Sequence, residues 1–144
     1  MRRRQFLALT LAVAVPVSAF AADIPVTIYR NPNCGCCDVY ANYLKRNGFR
    51  VELIDAIDAA SIHEKFHVPE QLEGCHTAVI GKHVFEGLIP AEYVKRVVNE
   101  NRPIRGLSVP GMPMGAPGMP GAAKGPIHVY YLDESRTPRV FATF

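Results

Sequence analysis

The pattern of apolar and polar positions predicts alternating strands and helices after residue 22. Short apolar runs rich in β-branched residues are typical of buried strands, and apolar residues four apart, such as Tyr40 and Leu44, are typical of a helix face. Gly48 is suited to end the first helix, and Asp58 is a suitable N-cap for the next. The predicted elements are strand 26–29, helix 35–47, strand 50–54, a short helix after Asp58, strands 77–80 and 83–88, and helix 90–100.

This β-α-β-α-β-β-α order is that of a thioredoxin-like α/β domain. Residues 103–126 interrupt the pattern, because 12 of these 24 residues are proline or glycine and no apolar period survives. Two further strands, 127–132 and 139–143, are predicted across a turn. We therefore predict one thioredoxin-like domain over residues 22–144, with a Pro/Gly/Met-rich loop at 103–126 and a C-terminal β-hairpin.

The first 21 residues have the composition of a secretory signal peptide. Arginines at positions 2–4 precede an apolar segment at 6–17 and the small-residue pattern Ala19-Phe20-Ala21. This segment is shorter than the roughly 20 residues that a transmembrane helix needs. We predict cleavage after Ala21 and export, and residues 3–7 also resemble a twin-arginine signal.

Removal of this segment would leave a chain without excess positive charge. Three of the 16 lysines and arginines lie in it, so 13 basic side chains balance 13 acidic ones in residues 22–144. A nucleic-acid-binding surface needs clustered excess lysine and arginine, so this class of function is excluded. No second apolar stretch is long enough to suggest a membrane span after cleavage.

Three of the four cysteines lie within Cys34-Gly35-Cys36-Cys37, and the fourth is Cys75. Exported proteins commonly form structural disulfides, but the adjacent Cys36 and Cys37 cannot readily bridge each other. Cys34 and Cys37 also form a C-x-x-C pair at a predicted helix N-terminus, where oxidoreductases place reactive thiolates. The third thiol would attack a mixed disulfide there, whereas a metal site gains a soft ligand. We therefore favour metal binding, with thiol–disulfide oxidoreductase activity as the alternative.

The chemistry of the available ligands favours copper. Thiolate and thioether groups select Cu(I) and zinc, and the sequence lacks the separated C-x-x-C pairs typical of structural zinc. His63 and His67 lie four residues apart on a predicted helix and are a second candidate metal pair, although such histidines are more often solvated. The methionines of residues 22–144 all lie in the Pro/Gly-rich loop, where they could ligate metal or cover apolar surface: Met112, Met114 and Met119.

Cys75 and His76 directly precede the predicted strand 77–80. In a thioredoxin-like arrangement the loop before this strand faces the start of the first helix. Cys75, with His76 beside it, should therefore reach the other cysteines. The loop lacks the cis-proline that thioredoxin-like oxidoreductases usually carry at this point, which disfavours general disulfide exchange.

Four segments together resemble the CopG-type family of periplasmic proteins associated with copper resistance, long catalogued as a domain of unknown function. They are the run Asn33-Cys34-Gly35-Cys36-Cys37 and residues 74–79, 85–91 and 106–119, in the family's order. The resemblance implies a thioredoxin-like fold that binds copper through its cysteines, including as a multinuclear Cu(I) cluster. It also implies a role in interconverting Cu(I) and Cu(II).

The resemblance carries copper ligation over to the four cysteines and matches two loop methionines with family positions. His76 is added because it adjoins Cys75. The expected metal-site residues are Cys34, Cys36, Cys37, Cys75, Met112, Met119 and His76. Copper ions are the expected partner, together with periplasmic copper chaperones or efflux components, and copper oxidoreductase activity is the enzymatic function to consider.

Overall fold

The computed structural model describes residues 22–144, and the predicted signal peptide at 1–21 lies outside the described residues. The described part is one mixed α/β unit, in which a short 3-10 helix (Glu70–Leu72) precedes the third strand. The main elements are β1 (Ile24–Arg30), α1 (Gly35–Arg46), β2 (Phe49–Asp55), α2 (Ala59–Lys65), β3 (His76–Ile80), β4 (His83–Gly87), α3 (Ala91–Asn99), β5 (Gly106–Val109), β6 (His128–Tyr131) and β7 (Val140–Thr143).

All seven of these strands form one sheet in the order β2-β1-β3-β4-β5-β6-β7. The pairs β1–β2 and β4–β5 are parallel, and the other neighbours are antiparallel. The observed order of elements up to α3 agrees with the predicted order, and β6–β7 is the predicted C-terminal hairpin. The α/β fold class is therefore confirmed.

The main hydrophobic core joins the central strands to α1 and α3. Tyr40 and Leu44 are buried on the predicted apolar face of α1. Val39 and Tyr43 have the same four-residue spacing, but Val39 is half exposed. Asp58 caps α2 as predicted, since its carboxylate accepts a hydrogen bond from the Ala60 N–H. Among residues 22–144, no helix has the length and apolar character that crossing a bilayer requires.

The strand β5 corrects the prediction of an uninterrupted loop at 103–126. Gly106–Val109 is buried throughout and pairs with both β4 and β6. Gly106 makes this pairing possible, because a Cβ atom there would lie 1.6 Å from the Val84 carbonyl oxygen. The Pro/Gly-rich segment therefore leaves the sheet after Val109, the last residue of β5, which pairs with Gly87, the last residue of β4.

Candidate metal centre

The first three cysteines lie at the N-terminus of α1, directly after β1. Asn31 shapes the turn: its side-chain oxygen accepts a hydrogen bond from the Asn33 N–H, and its carbonyl accepts one from the Cys34 N–H. Cys34 is the N-cap residue, and Cys36 and Cys37 follow in the first helical turn. Helix geometry therefore presents all three sulfurs at one end of the helix.

Sheet pairing brings Cys75 to the same place. The antiparallel register of β1 and β3 sets Arg30 opposite His76, so Cys75 lies just beyond the end of β1, where α1 begins. Its sulfur is 3.5 Å from that of Cys36, and all four cysteine sulfurs lie within 4.8 Å of one another. The structure thus shows the apposition of Cys75 and the α1 cysteines that the sequence predicts.

Two of the four cysteines are already paired. Cys34 and Cys37 form a disulfide across one helical turn, with their Cα atoms 5.5 Å apart, and Cys36 and Cys75 are free thiols. The Cys36 sulfur lies 3.2 Å from that of Cys34. Cys37 is fully buried, and its sulfur lies 3.6 Å from the Cys75 carbonyl oxygen. The cluster therefore has one buried cysteine, Cys37, and three cysteines that line an open cleft.

The structure separates the two methionines that the sequence had treated alike. The Met112 sulfur lies 3.8 Å from the Cys36 sulfur, and Met112 lines the open cleft with Cys34, Cys36 and Cys75. Met119 is partly buried and packs against the main core. Met112 therefore lies next to the cysteine sulfurs and Met119 lies against the core, and metal ligation by either residue stays a prediction.

The Pro/Gly-rich segment is held close to the cysteine cluster at two points. Gly111 forms a bridge with Gly74, next to Cys75, and its N–H donates to the Glu73 carbonyl. Gly118 then crosses the first turn of α1, with a φ of +100° and a backbone so close that a Cβ atom would lie 2.9 Å from the Cys36 carbonyl oxygen. Only glycine satisfies both conditions at this crossing.

We expect Gly118→Ala to destabilise the crossing of the loop over α1 by roughly 1–3 kcal/mol, the usual cost of a strained backbone conformation. Denaturant unfolding would measure the effect. Gly125→Ala is the matched control, because a Cβ atom there meets nothing within 4 Å. Equal stability of the two variants would contradict tight packing of the loop on α1.

Comparisons with known proteins agree with this geometry. A family model described as a protein of unknown function, DUF411, matches residues 72–119. Two solved structures, forms 1 and 2 of a copper resistance protein CopG, are 32% identical to this chain, with TM-scores of 0.76 and 0.77. Each match covers 85% of this chain and 98% of the solved chain. The chain belongs to the CopG family. A search of curated proteins gave no significant match.

In this CopG-family chain, burial controls the protonation of the residues beside the cluster. Burial, reinforced by the nearby Cys36 thiol, raises the pKa of the Cys75 thiol above its usual value. Burial also lowers the pKa of His76 to about 4, so its imidazole is neutral at pH 7. Its Nδ1 atom lies 3.2 Å from the Cys75 sulfur. A soft metal that binds Cys75 must therefore displace a firmly held proton next to a neutral imidazole.

His76 is placed beside the cluster rather than at its open side. Its ring packs on Tyr40 with 4.7 Å between ring centroids, and its Nε2 atom is buried without a hydrogen-bond partner among residues 22–144. Through Nδ1 it contacts the sulfur of Cys75. His76 therefore lies beside Cys75, with Nδ1 as the nitrogen that faces the sulfur, and its ligation of metal stays a prediction.

A buried carboxylate holds the segment that carries Cys75. Glu86 on β4 is fully buried, and its carboxylate accepts hydrogen bonds from the Gly74 N–H at 2.8 Å and the Thr77 hydroxyl at 2.6 Å. His63 Nε2 lies 3.0 Å from the same carboxylate, and this contact raises the pKa of His63. Since Gly74 and Thr77 flank Cys75 and His76, Glu86 fixes the backbone on both sides of them.

This network was missed by sequence reasoning, although an acidic residue inside a predicted buried strand was a usable signal. It also removes the second candidate metal pair. The ring nitrogens of His63 face Glu86 and Glu73, at 3.0 and 3.2 Å. His67 lies beyond the end of α2 with a φ of 52°, so the two histidines do not share the helical face that the pairing required.

Proposed function

We propose that this protein binds Cu(I) through Cys34, Cys36, Cys37 and Cys75, with Met112 at the open edge. The observation that carries the proposal is the gathering of four cysteine sulfurs within 4.8 Å, a separation that one metal ion or a small metal cluster can bridge. Soft thiolate donors select Cu(I) and zinc among biological metals. The solved relatives are copper resistance proteins by name, which supports copper as the metal.

A thioether near the cysteines favours Cu(I) over zinc, and the disulfide makes the site sensitive to redox state. The Met112 thioether is a fifth sulfur near the cluster, and thioethers are ligands of Cu(I) rather than of structural zinc. The Cys34–Cys37 disulfide must also be reduced before all four thiolates can bind, so occupation depends on redox state.

Anaerobic titration of the reduced protein tests the proposal. Residues 22–144 would be reduced, freed of reductant and titrated with Cu(I), with thiol counting and elemental analysis at each step. We expect stoichiometric Cu(I) binding that excess zinc does not reverse. Displacement of the bound Cu(I) by zinc, or binding that leaves all four thiols reactive, would contradict a copper–thiolate site.

The wider role follows from the same chemistry. We infer that residues 1–21 direct export and are removed after Ala21, and that the protein works in the periplasm in copper resistance. There it would sequester Cu(I) or cycle copper between Cu(I) and Cu(II). Copper chaperones or efflux components are the partners we propose for exchange, and the open cleft beside Met112 is the route by which copper would enter and leave.

Thiol–disulfide exchange is the second candidate function, favoured by the Cys34–Cys37 disulfide at the start of α1. The Cys36 thiol opposes it, because it lies 3.2 Å from Cys34 and would compete with Cys37 in attacking a mixed disulfide at Cys34, so exchange would not return one defined disulfide. We expect little turnover in insulin reduction. A rate comparable to that of a dedicated periplasmic oxidoreductase would make exchange the leading function.

Met112→Leu should speed Cu(I) exchange and lower the Cu(II)/Cu(I) potential, because it removes a thioether that favours Cu(I) while nearly conserving volume. Stopped-flow transfer to a Cu(I) chelator and redox titration would measure both effects. Met114→Leu is the matched control from the same loop, since Met114 is exposed and contacts Gly121 rather than the cluster. Identical behaviour of the two variants would leave Met112 as a surface residue only.

A further inference from the structure

The five sulfurs near the start of α1 divide into two chemically different groups. Cys34 and Cys37 are joined as a disulfide. The remaining three are arranged around Cys36, whose sulfur lies 3.5 Å from that of Cys75 and 3.8 Å from that of Met112. The structure thus shows an oxidised pair next to a set of three sulfur donors that the disulfide leaves free.

Access to solvent divides the sulfurs further. Cys34, Cys36, Cys75 and Met112 line the open cleft, whereas Cys37 has no exposed surface. A copper ion entering the cleft therefore meets Cys34 before Cys37. Cys37 is placed to complete a disulfide with Cys34 from behind, in the manner of a buried resolving thiol.

We propose that the Cys34–Cys37 dithiol is the electron donor that reduces Cu(II) to Cu(I), and that Cys36, Cys75 and Met112 retain the Cu(I) product. This inference rests on the proposed copper-binding function and deepens it by naming the redox groups. The reaction is balanced: two thiols and two Cu(II) ions yield one disulfide, two Cu(I) ions and two protons. The electrons come from the two sulfurs, the S–H bonds break, and the S–S bond forms.

The geometry favours this pair over the alternatives. The Cα atoms of Cys34 and Cys37 are 5.5 Å apart, inside the range of ordinary disulfides, so the bond forms without movement of the helix. Adjacent Cys36 and Cys37 cannot readily pair. The competing bonds are Cys34–Cys36 and Cys36–Cys75, whose sulfurs are 3.2 and 3.5 Å apart, and either would consume Cys36, the sulfur nearest to the other product ligands. Use of Cys34 and Cys37 keeps those ligands available.

The disulfide form in the structure is, on this proposal, the state after copper reduction. Cys36 and Cys75 remain thiols in it, and Met112 remains next to Cys36. Return to the starting state requires a dithiol reductant, which would attack the solvent-facing sulfur of Cys34 and release Cys37. Each round would then deliver Cu(I) at the open cleft.

The test uses residues 22–144, fully reduced, freed of reductant under anaerobic conditions and mixed with two equivalents of Cu(II) sulfate. The reduction would be monitored by loss of the Cu(II) paramagnetic signal and by binding of the Cu(I) product to a Cu(I) chelator. Acid quenching, alkylation and peptide mapping would locate the disulfide. We expect two Cu(I) ions per chain, a fall from four thiols to two, and a Cys34–Cys37 linkage. Four remaining thiols, or a disulfide that includes Cys36, would overturn the proposal.

Variants separate the electron donor from the binding site. Cys37→Ser should abolish the rapid reduction of Cu(II). Because Cys37 is buried, this substitution could cause misfolding. Cys34→Ser, at a residue that lines the cleft, therefore provides a second test with the same expected result. Met114→Leu should retain the wild-type stoichiometry. Rapid reduction of two Cu(II) ions by folded Cys34→Ser would refute the proposal. Direct addition of Cu(I) to the reduced wild type distinguishes the binding proposal from the reduction proposal. If this protein does not bind the added Cu(I), the proposed copper binding itself is wrong.

Discussion

Cys75→Ser will weaken Cu(I) binding as severely as Cys36→Ser, although Cys75 lies 39 positions after Cys36 in the sequence. Both sulfurs belong to the same group, 3.5 Å apart, and serine offers a hard oxygen that Cu(I) binds poorly. Loss of a supporting residue around a metal typically costs 10–100-fold in affinity, so loss of a ligand should cost more than ~100-fold. Competition against a calibrated Cu(I) chelator measures both variants.

The control for this prediction is a measurement of whether both variants keep the wild-type fold. Cys75 and Cys36 are only partly buried, so circular dichroism and the unfolding midpoint of both apo variants should stay close to wild type. A Cys75→Ser variant that keeps full copper stoichiometry and affinity would mean that the apposition of the two segments does not form the metal site. A large loss of affinity without a loss of stability is the result that assigns Cys75 to the metal.

Glu86→Ala will cost about 3–5 kcal/mol of stability, as is usual when one partner is removed from a buried ionic network. The substitution leaves the Gly74 N–H, the Thr77 hydroxyl and the His63 imidazole without their shared acceptor in a site that excludes water. Copper affinity should fall as well, by 10–100-fold, because both residues that flank the Cys75–His76 pair lose their anchor. Chemical denaturation of the apo protein and Cu(I) competition measure the two effects.

Glu73→Ala is the matched control for the Glu86 variant. Glu73 contacts the same histidine at 3.2 Å, but its side chain is 40% exposed, so its removal should cost less than ~1 kcal/mol. Glu86→Gln should fall between the two, since its amide keeps one acceptor oxygen while giving up the charge. Similar losses of unfolding free energy for Glu73→Ala and Glu86→Ala would show that the burial of Glu86 does not increase its contribution to stability.

Local sequence signals were sufficient for most of the secondary structure. The apolar runs of β1 and β3, the four-residue spacing of Tyr40 and Leu44, and the Asp58 cap each depend on neighbouring residues only, and the structure shows the corresponding elements. The strand β5 was missed for the same reason. Its pairing depends on β4 and β6, and the proline and glycine residues around it remove the local pattern that reveals a strand.

The cysteine cluster was similarly visible in the sequence, because Cys34, Cys36 and Cys37 are neighbours in the chain and thiolates have well-defined metal preferences. The approach of Cys75 could also be predicted, since it follows from the position of a strand relative to a helix. The apposition therefore required only the correct order of elements, and the paired register of β1 and β3 realises it.

Only the tertiary structure decided which side chains complete the site. Met112 and Met119 occur in the same Pro/Gly-rich context, and the path of the loop across α1 places the former at the cysteines and the latter against the core. The Glu86 network joins α2, the Gly74 loop, β3 and β4, which no sequence period connects. The sequence by itself determined the elements and the sulfur chemistry, because both arise from adjacent residues. Contacts between distant segments were decided by packing, because each depends on the exact path of a backbone that no local pattern specifies.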